Sequence, residues 1–149
     1  LAARFDSDLA AVLARTARLP GRPRVLFLLS VARSAPTAAG DDTSAAEVIE
    51  AAGAVNAASG FEGWKPVSTE ALLAAAPDVV VMMDGHAERA GGKAAILSLP
   101  GLSLTPAARD GRFLVVDGVR LLGFGPRPPA AIADLARALQ PEAAAELGL

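Results

Sequence analysis

The sequence has no cysteine and no tyrosine, and only one histidine, one tryptophan and five phenylalanines among 149 residues. The lack of cysteine rules out disulfides, thiol catalysis and thiolate metal sites, and it fits either redox compartment. With so few aromatic rings there are no stacking platforms for nucleic-acid bases. Charge of one sign is also missing: 14 basic and 16 acidic residues give a formal net charge of -2. The basic residues are spread along the chain, so the electrostatic footprint of a nucleic-acid binder is absent. No apolar run approaches the roughly 18 residues of a membrane span, and no basic segment followed by an apolar stretch marks a signal peptide.

What the chain does have is apolar material. Hydrophobic residues make up 52% of it, chiefly Ala and Leu, and a single domain packed around small side chains is expected. Phe5, Leu9, Val12, Leu13 and Thr16 recur at helical spacing, and Pro20-Gly21 ends that segment. Leu1-Ala2-Ala3 begins almost inside this helix, which points to a natural start further upstream. Val25-Leu26-Phe27-Leu28-Leu29, Val79 to Met83 and Phe113 to Val116 are short continuous apolar runs, the pattern of strands buried on both faces. Between them lie helical segments. Ser44 and Glu47 form a capping-box pattern, while Ser68 caps a helix with Val67 and Leu72 as its hydrophobic staple. Gly92 to Leu99 is a short helix. Ile132, Leu135, Ala136 and Leu139 share a face of the final long helix, and Pro141 separates a short tail helix. Residues 30–43 are expected to be a polar loop, and residues 54–66 irregular.

Strands alternating with helices predict an α/β fold, a Rossmann-like three-layer lobe with a mainly parallel central sheet. In such sheets ligands gather at the carboxyl ends of the strands, here residues 30–43, 84–92 and 117–127. The last segment holds Gly123-Phe124-Gly125-Pro126-Arg127 just before a helix. Its glycines allow tight curvature, the helix start offers free N–H groups to an anion, and Arg127 adds a fork suited to a carboxylate or phosphate. Arg33, after the first strand, offers a second cation on that edge, opposed by Asp41 and Asp42. Asp84, His86 and Glu88 alternate after the second strand, a weak pattern for a metal, and none is assigned. No catalytic set emerges: a G-x-S-x-G elbow, a Walker motif and a dinucleotide fingerprint are all missing, and His86 is the only histidine. Hydrolysis is therefore not expected. A phosphate-handling α/β enzyme built on the Gly123 to Arg127 loop, or a purely structural fragment, remain the competing readings.

The blocks VLFLLS from Val25, AGDDTSAAEVIEAAGAVNAASGFEGWKPVSTEALLAAAPDVVVMMDG from Ala39 to Gly85, and DGVRLLGFGPR from Asp117 to Arg127 together resemble the hemin-binding proteins of bacterial ABC importers. The likeness is to their carboxy-terminal lobe. It implies residues 1–20 as the end of an interlobe linker helix and 21–149 as the lobe itself, in a periplasmic or extracytoplasmic setting. Heme would then be the transported ligand, held with an amino-terminal lobe not in this chain that supplies the iron-binding tyrosine. By the same resemblance Arg127 and Arg33 would receive propionates beside Gly123 and Gly125, and His86 would contact the ligand. Glu70, in the Val67 to Leu72 block, would dock the transporter permease, with Glu62 as a lesser candidate. Asp41 stands where the family often has arginine, Ala32-Arg33-Ser34 replaces a glycine-rich loop, and Trp64 replaces a common tyrosine. A cobalamin or iron-siderophore ligand therefore stays open.

Overall fold

A computed structural model describes residues 2–32, 35–118 and 129–149. Helix α1 (Ala2–Thr16) leads into strand β1 (Arg24–Ala32), which turns back as β2 (Ala35–Ala39). Helix α2 (Ser44–Ala51), the short strands β3 (Val55–Asn56) and β4 (Trp64–Pro66), and helix α3 (Thr69–Ala75) follow. Then come β5 (Val79–Met83), α4 (Asp84–Arg89), α5 (Gly92–Leu97), α6 (Pro106–Asp110), β6 (Phe113–Val116), α7 (Pro129–Leu139) and α8 (Pro141–Glu146). Among the described residues no helix is long and apolar enough to cross a membrane.

The runs that form β1 and β5 have two buried faces, whereas the third, β6, is only partly buried and leaves Val115 54% exposed. Along β1, Val25 and Phe27 enter one core cluster while Leu26 and Leu28 enter the other; along β5, Val79 and Val81 oppose Val80 and Met82 in the same way. The first cluster is closed by Val12 of α1, Val48 and Ile49 of α2, and Ile132, Leu135 and Leu139 of α7. Leu72 of α3, Ala87 of α4, Ile96 of α5 and Ala107 of α6 close the second. Helices thus cover both faces of the sheet. Leu13, expected on the buried face of α1, is 39% exposed, and the side chain of Phe5 lies outside the described residues.

The expectation of a Rossmann-like, mainly parallel sheet is corrected by the strand pairing. The sheet is mixed and open, in the order β4-β2-β1-β5-β6 with β3 also beside β1. β5 runs parallel to both β1 and β6, but β2 is antiparallel to β1 and to β4. Within the polar loop expected over residues 30–43, residues 30–32 continue β1 and Ala35–Ala39 form β2. Only two residues separate Ala32 from Ala35. So short a connection permits a hairpin and cannot supply the dozen or more residues of a parallel crossover. The strand was illegible because Ala-Pro-Thr-Ala-Ala has little strand propensity. β3 and β4 likewise replace irregular structure.

Local signals placed several boundaries. The N-cap of α2 is Thr43, one residue before the expected Ser44, and its hydroxyl accepts from Ala46 N and donates to Gly40 O. Ser68 caps α3 as expected, its Oγ accepting from Ala71 N at 3.1 Å. Asp84 and Gly85, directly after β5, open α4.

Candidate functional site

The carboxyl edge of the parallel strands is uneven. β5 pairs with β1 only as far as Met82 beside Leu28, whereas β1 continues through Ser30 opposite Thr37, Val31 opposite Pro36 and Ala32 opposite Ala35. The β1–β2 hairpin therefore projects beyond the rest of this edge. Arg33 falls outside the described residues, as do Gly123, Gly125 and Arg127.

His86 is described. It sits half-buried in the first turn of α4, directly after β5. Asp84 precedes it at the helix start, its carboxylate accepting from Gly85 N at 2.9 Å. On a helix, positions two apart lie about 200° around the axis from one another. His86 therefore faces away from Asp84 and Glu88, and the three do not converge on a point. Among the described residues no three His, Asp or Glu side chains gather as a metal site.

Glu70 is exposed in the first turn of α3. Val67 N donates to Pro36 O at 2.9 Å, which sets the start of this helix beside the projecting hairpin. The same turn is braced from below by Gly101, whose φ is +88° and where an added Cβ would lie 2.6 Å from Thr69 O. Glu62 is also exposed, in the loop before β4, so the two acids flank the outer strands while His86 lies past β5.

Sequence reasoning missed the support under this edge. Gly40 N donates to Gly63 O and Asp41 N to Phe61 O, both at 2.8 Å. The carboxylates of Asp41 and Asp42 accept from Gly60 N at 3.0 Å and Gly63 N at 2.6 Å. Asp41 and Asp42 thus brace residues 60–63 against the end of β2. Buried Asn56 joins the brace from inside, its Nδ2 donating to Ala39 O and Ala58 O. Two adjacent acids followed by a glycine-rich segment were the available signal, but their pairing spans about twenty residues of sequence.

Residues 1–119 match the family of periplasmic binding proteins. The chain belongs to that family. As a periplasmic binding protein it is a member of a non-catalytic, extracytoplasmic class, in agreement with the sequence reading of a binding protein. No curated protein sequence matches it. Among solved structures it is similar to the periplasmic heme-binding protein BhuT in complex with two hemes, with 46% identity and a TM-score of 0.85 over 95% of this chain and 54% of that one. It is also similar to the periplasmic heme-binding protein RhuT from Roseiflexus sp. RS-1 in apo form, at 39% identity and a TM-score of 0.86 over 96% and 55% of the two chains. The periplasmic heme-binding protein HutB of Vibrio cholerae matches at 32% identity and a TM-score of 0.75, over 89% and 53%. The chain thus spans about half the length of these relatives.

Proposed function

We propose that the chain is the carboxy-terminal lobe of a periplasmic heme-binding protein that delivers hemin to an ABC importer. The observation that carries this reading is the 46% identity with heme-binding BhuT over 95% of this chain but only 54% of the relative. Residues 1–20 form the end of the interlobe helix, which packs along α7, and 21–149 the lobe. Heme lies against the carboxyl edge of the strands. Arg127 and Arg33 receive its propionates, because a guanidinium fork matches a carboxylate in geometry and charge. Gly123 and Gly125 let the backbone approach the ligand, and His86 meets it from α4. The chain has no tyrosine, so a phenolate ligand to the iron comes from the amino-terminal lobe.

Heme titration followed at the Soret band tests the reading. This chain alone is expected to bind weakly or without saturation, and the two-lobed protein containing it to reach a sharp stoichiometric end point. Preference of the two-lobed protein for cobalamin or an iron-siderophore would overturn heme as the cargo. A tight complex with this chain alone would place an iron ligand here, with His86 the residue responsible.

Glu70 docks the permease, with Glu62 beside it. A carboxylate in the first turn of a helix is favoured by about 0.3–1 kcal/mol when exposed, so Glu70→Gln should unfold at nearly the parent's urea concentration. A rim charge steers encounter and sets orientation. The variant in the two-lobed protein should therefore associate more slowly with the transporter, with weaker salt dependence and an unaltered heme titration. Identical affinity and salt dependence for parent and variant would remove Glu70 from the docking surface.

A further inference from the structure

Away from the strand ends, a half-open groove of about 600 Å³ runs along α3 on the second face of the sheet. Its floor is apolar and buried: Leu26 of β1, Leu72 of α3, and Ala57 and Ala58 after β3. It exists because α3 turns the small side chains Ala71, Ala74 and Ala75 toward it. Two cations, Arg24 and Lys65, line it, and its described lining includes no acid, although the chain as a whole carries a net charge of -2. Arg24 is held in place, its Nε donating to Ala75 O at 2.9 Å and its backbone N to Asp78 at 2.9 Å. Among the described residues neither the Arg24 Nη groups nor Lys65 Nζ has a hydrogen-bond or ion-pair partner.

We infer that this groove is a second binding site, for a small amphipathic carboxylate whose apolar body lies on Leu26 and Leu72 and whose acid meets Lys65, while Arg24, held at the Ala75 end of α3, adds to the positive field. Its volume is that of a small-molecule site, which typically spans about 300–1,000 Å³ and combines an apolar lining with a few placed polar groups. The charge decides the class. A neutral lipid leaves two cations unused, and an amine is repelled by both. A protein segment is the less suitable occupant, since a stable interface needs on the order of 800 Å² per partner, more than this trough along a seven-residue helix offers.

Calorimetric titration with decanoate tests the site on this chain. One saturable equivalent is expected, with decanol and decylamine binding more weakly. Lys65→Glu, on an exposed edge strand, should weaken decanoate about tenfold as attraction becomes repulsion. Ala71→Leu should abolish binding by filling the groove while keeping a good helix former. Circular dichroism of both variants shows whether the fold is kept, and if Ala71→Leu does not fold, the Lys65→Glu result decides. No saturable decanoate binding, equal binding of decanol or decylamine, or a Lys65→Glu variant with parental affinity would each overturn the site. The heme reading is unaffected by any of these outcomes, because the strand-end edge shares no lining residue with the groove.

Discussion

Replacing Phe27 with alanine is expected to cost about 3–5 kcal/mol, the range for truncating a fully buried phenylalanine. Phe27 has no solvent exposure and lies in the first core cluster. Its ring meets Trp64 edge to face, with centroids 5.8 Å apart and an interplanar angle of 74°. That contact reaches across an intervening strand: Trp64 on β4 pairs with Ala39 on β2, and only a side chain as small as alanine there lets the two rings touch. Truncation therefore empties the core and detaches the tryptophan together. Domains are stable by only about 5–15 kcal/mol, so the variant should lose a large share of its stability. Urea unfolding followed by the fluorescence of the single tryptophan is the measurement. Phe27→Leu, which keeps most of the volume, should lose less than half as much, and a Phe27→Ala loss below about 1 kcal/mol would contradict this account of the core.

Gly40→Ala is the second large effect, expected at about 3 kcal/mol although a single methyl group is added. An added Cβ would fall on Phe61 O, 2.7 Å from Phe61 Cδ2 and 2.8 Å from Gly63 O. Two of these atoms are backbone carbonyls. They are held in place by the hydrogen bonds from Asp41 N and Gly40 N, so relief of the clash must break at least one of those bonds. The acceptors thereby lost are worth about 1 kcal/mol each, and overpacking adds about 1–3 kcal/mol. Amide hydrogen exchange gives a local readout: Asp41, Gly60 and Gly63 N–H groups should lose protection in the variant while those of β5 keep theirs. Unchanged protection at all three would show that the segment can shift without cost. Because this brace lies under the hairpin, Gly40→Ala is also expected to displace β4 and the start of α3 that follows it.

The sequence was most legible where burial imposes one pattern. Val25 to Leu28 and Val79 to Met83 had to be apolar at successive positions because their alternate residues enter opposite clusters. Ile132, Leu135, Ala136 and Leu139 likewise mark the buried face of α7. Ser68 placed the start of α3, and with it Glu70, through one hydroxyl and one amide three residues on. Each of these signals is local: the physical cause and the residue that reveals it sit within one strand or one helical turn.

Strand direction and the shape of the site were decided elsewhere. Nothing intrinsic to Ala35–Ala39 selects a strand; it forms one because β1 and β4 offer hydrogen-bonding partners on either side, and the hairpin makes the sheet mixed. The same holds for Asp84 to Arg89, where Gly85 argues against a helix locally and the chain forms one nonetheless after leaving β5. The brace joining Gly40, Asp41 and Asp42 to residues 60–63 is set by contacts between distant segments, and the groove beneath α3 is set by missing volume, which leaves no residue to mark it. The sequence alone determined which segments must be buried and where helices begin, since those depend on neighbours along the chain. Tertiary structure decided how the segments pair and where they leave space, because backbone hydrogen bonds between strands carry no side-chain identity and a cavity is a property of several elements at once.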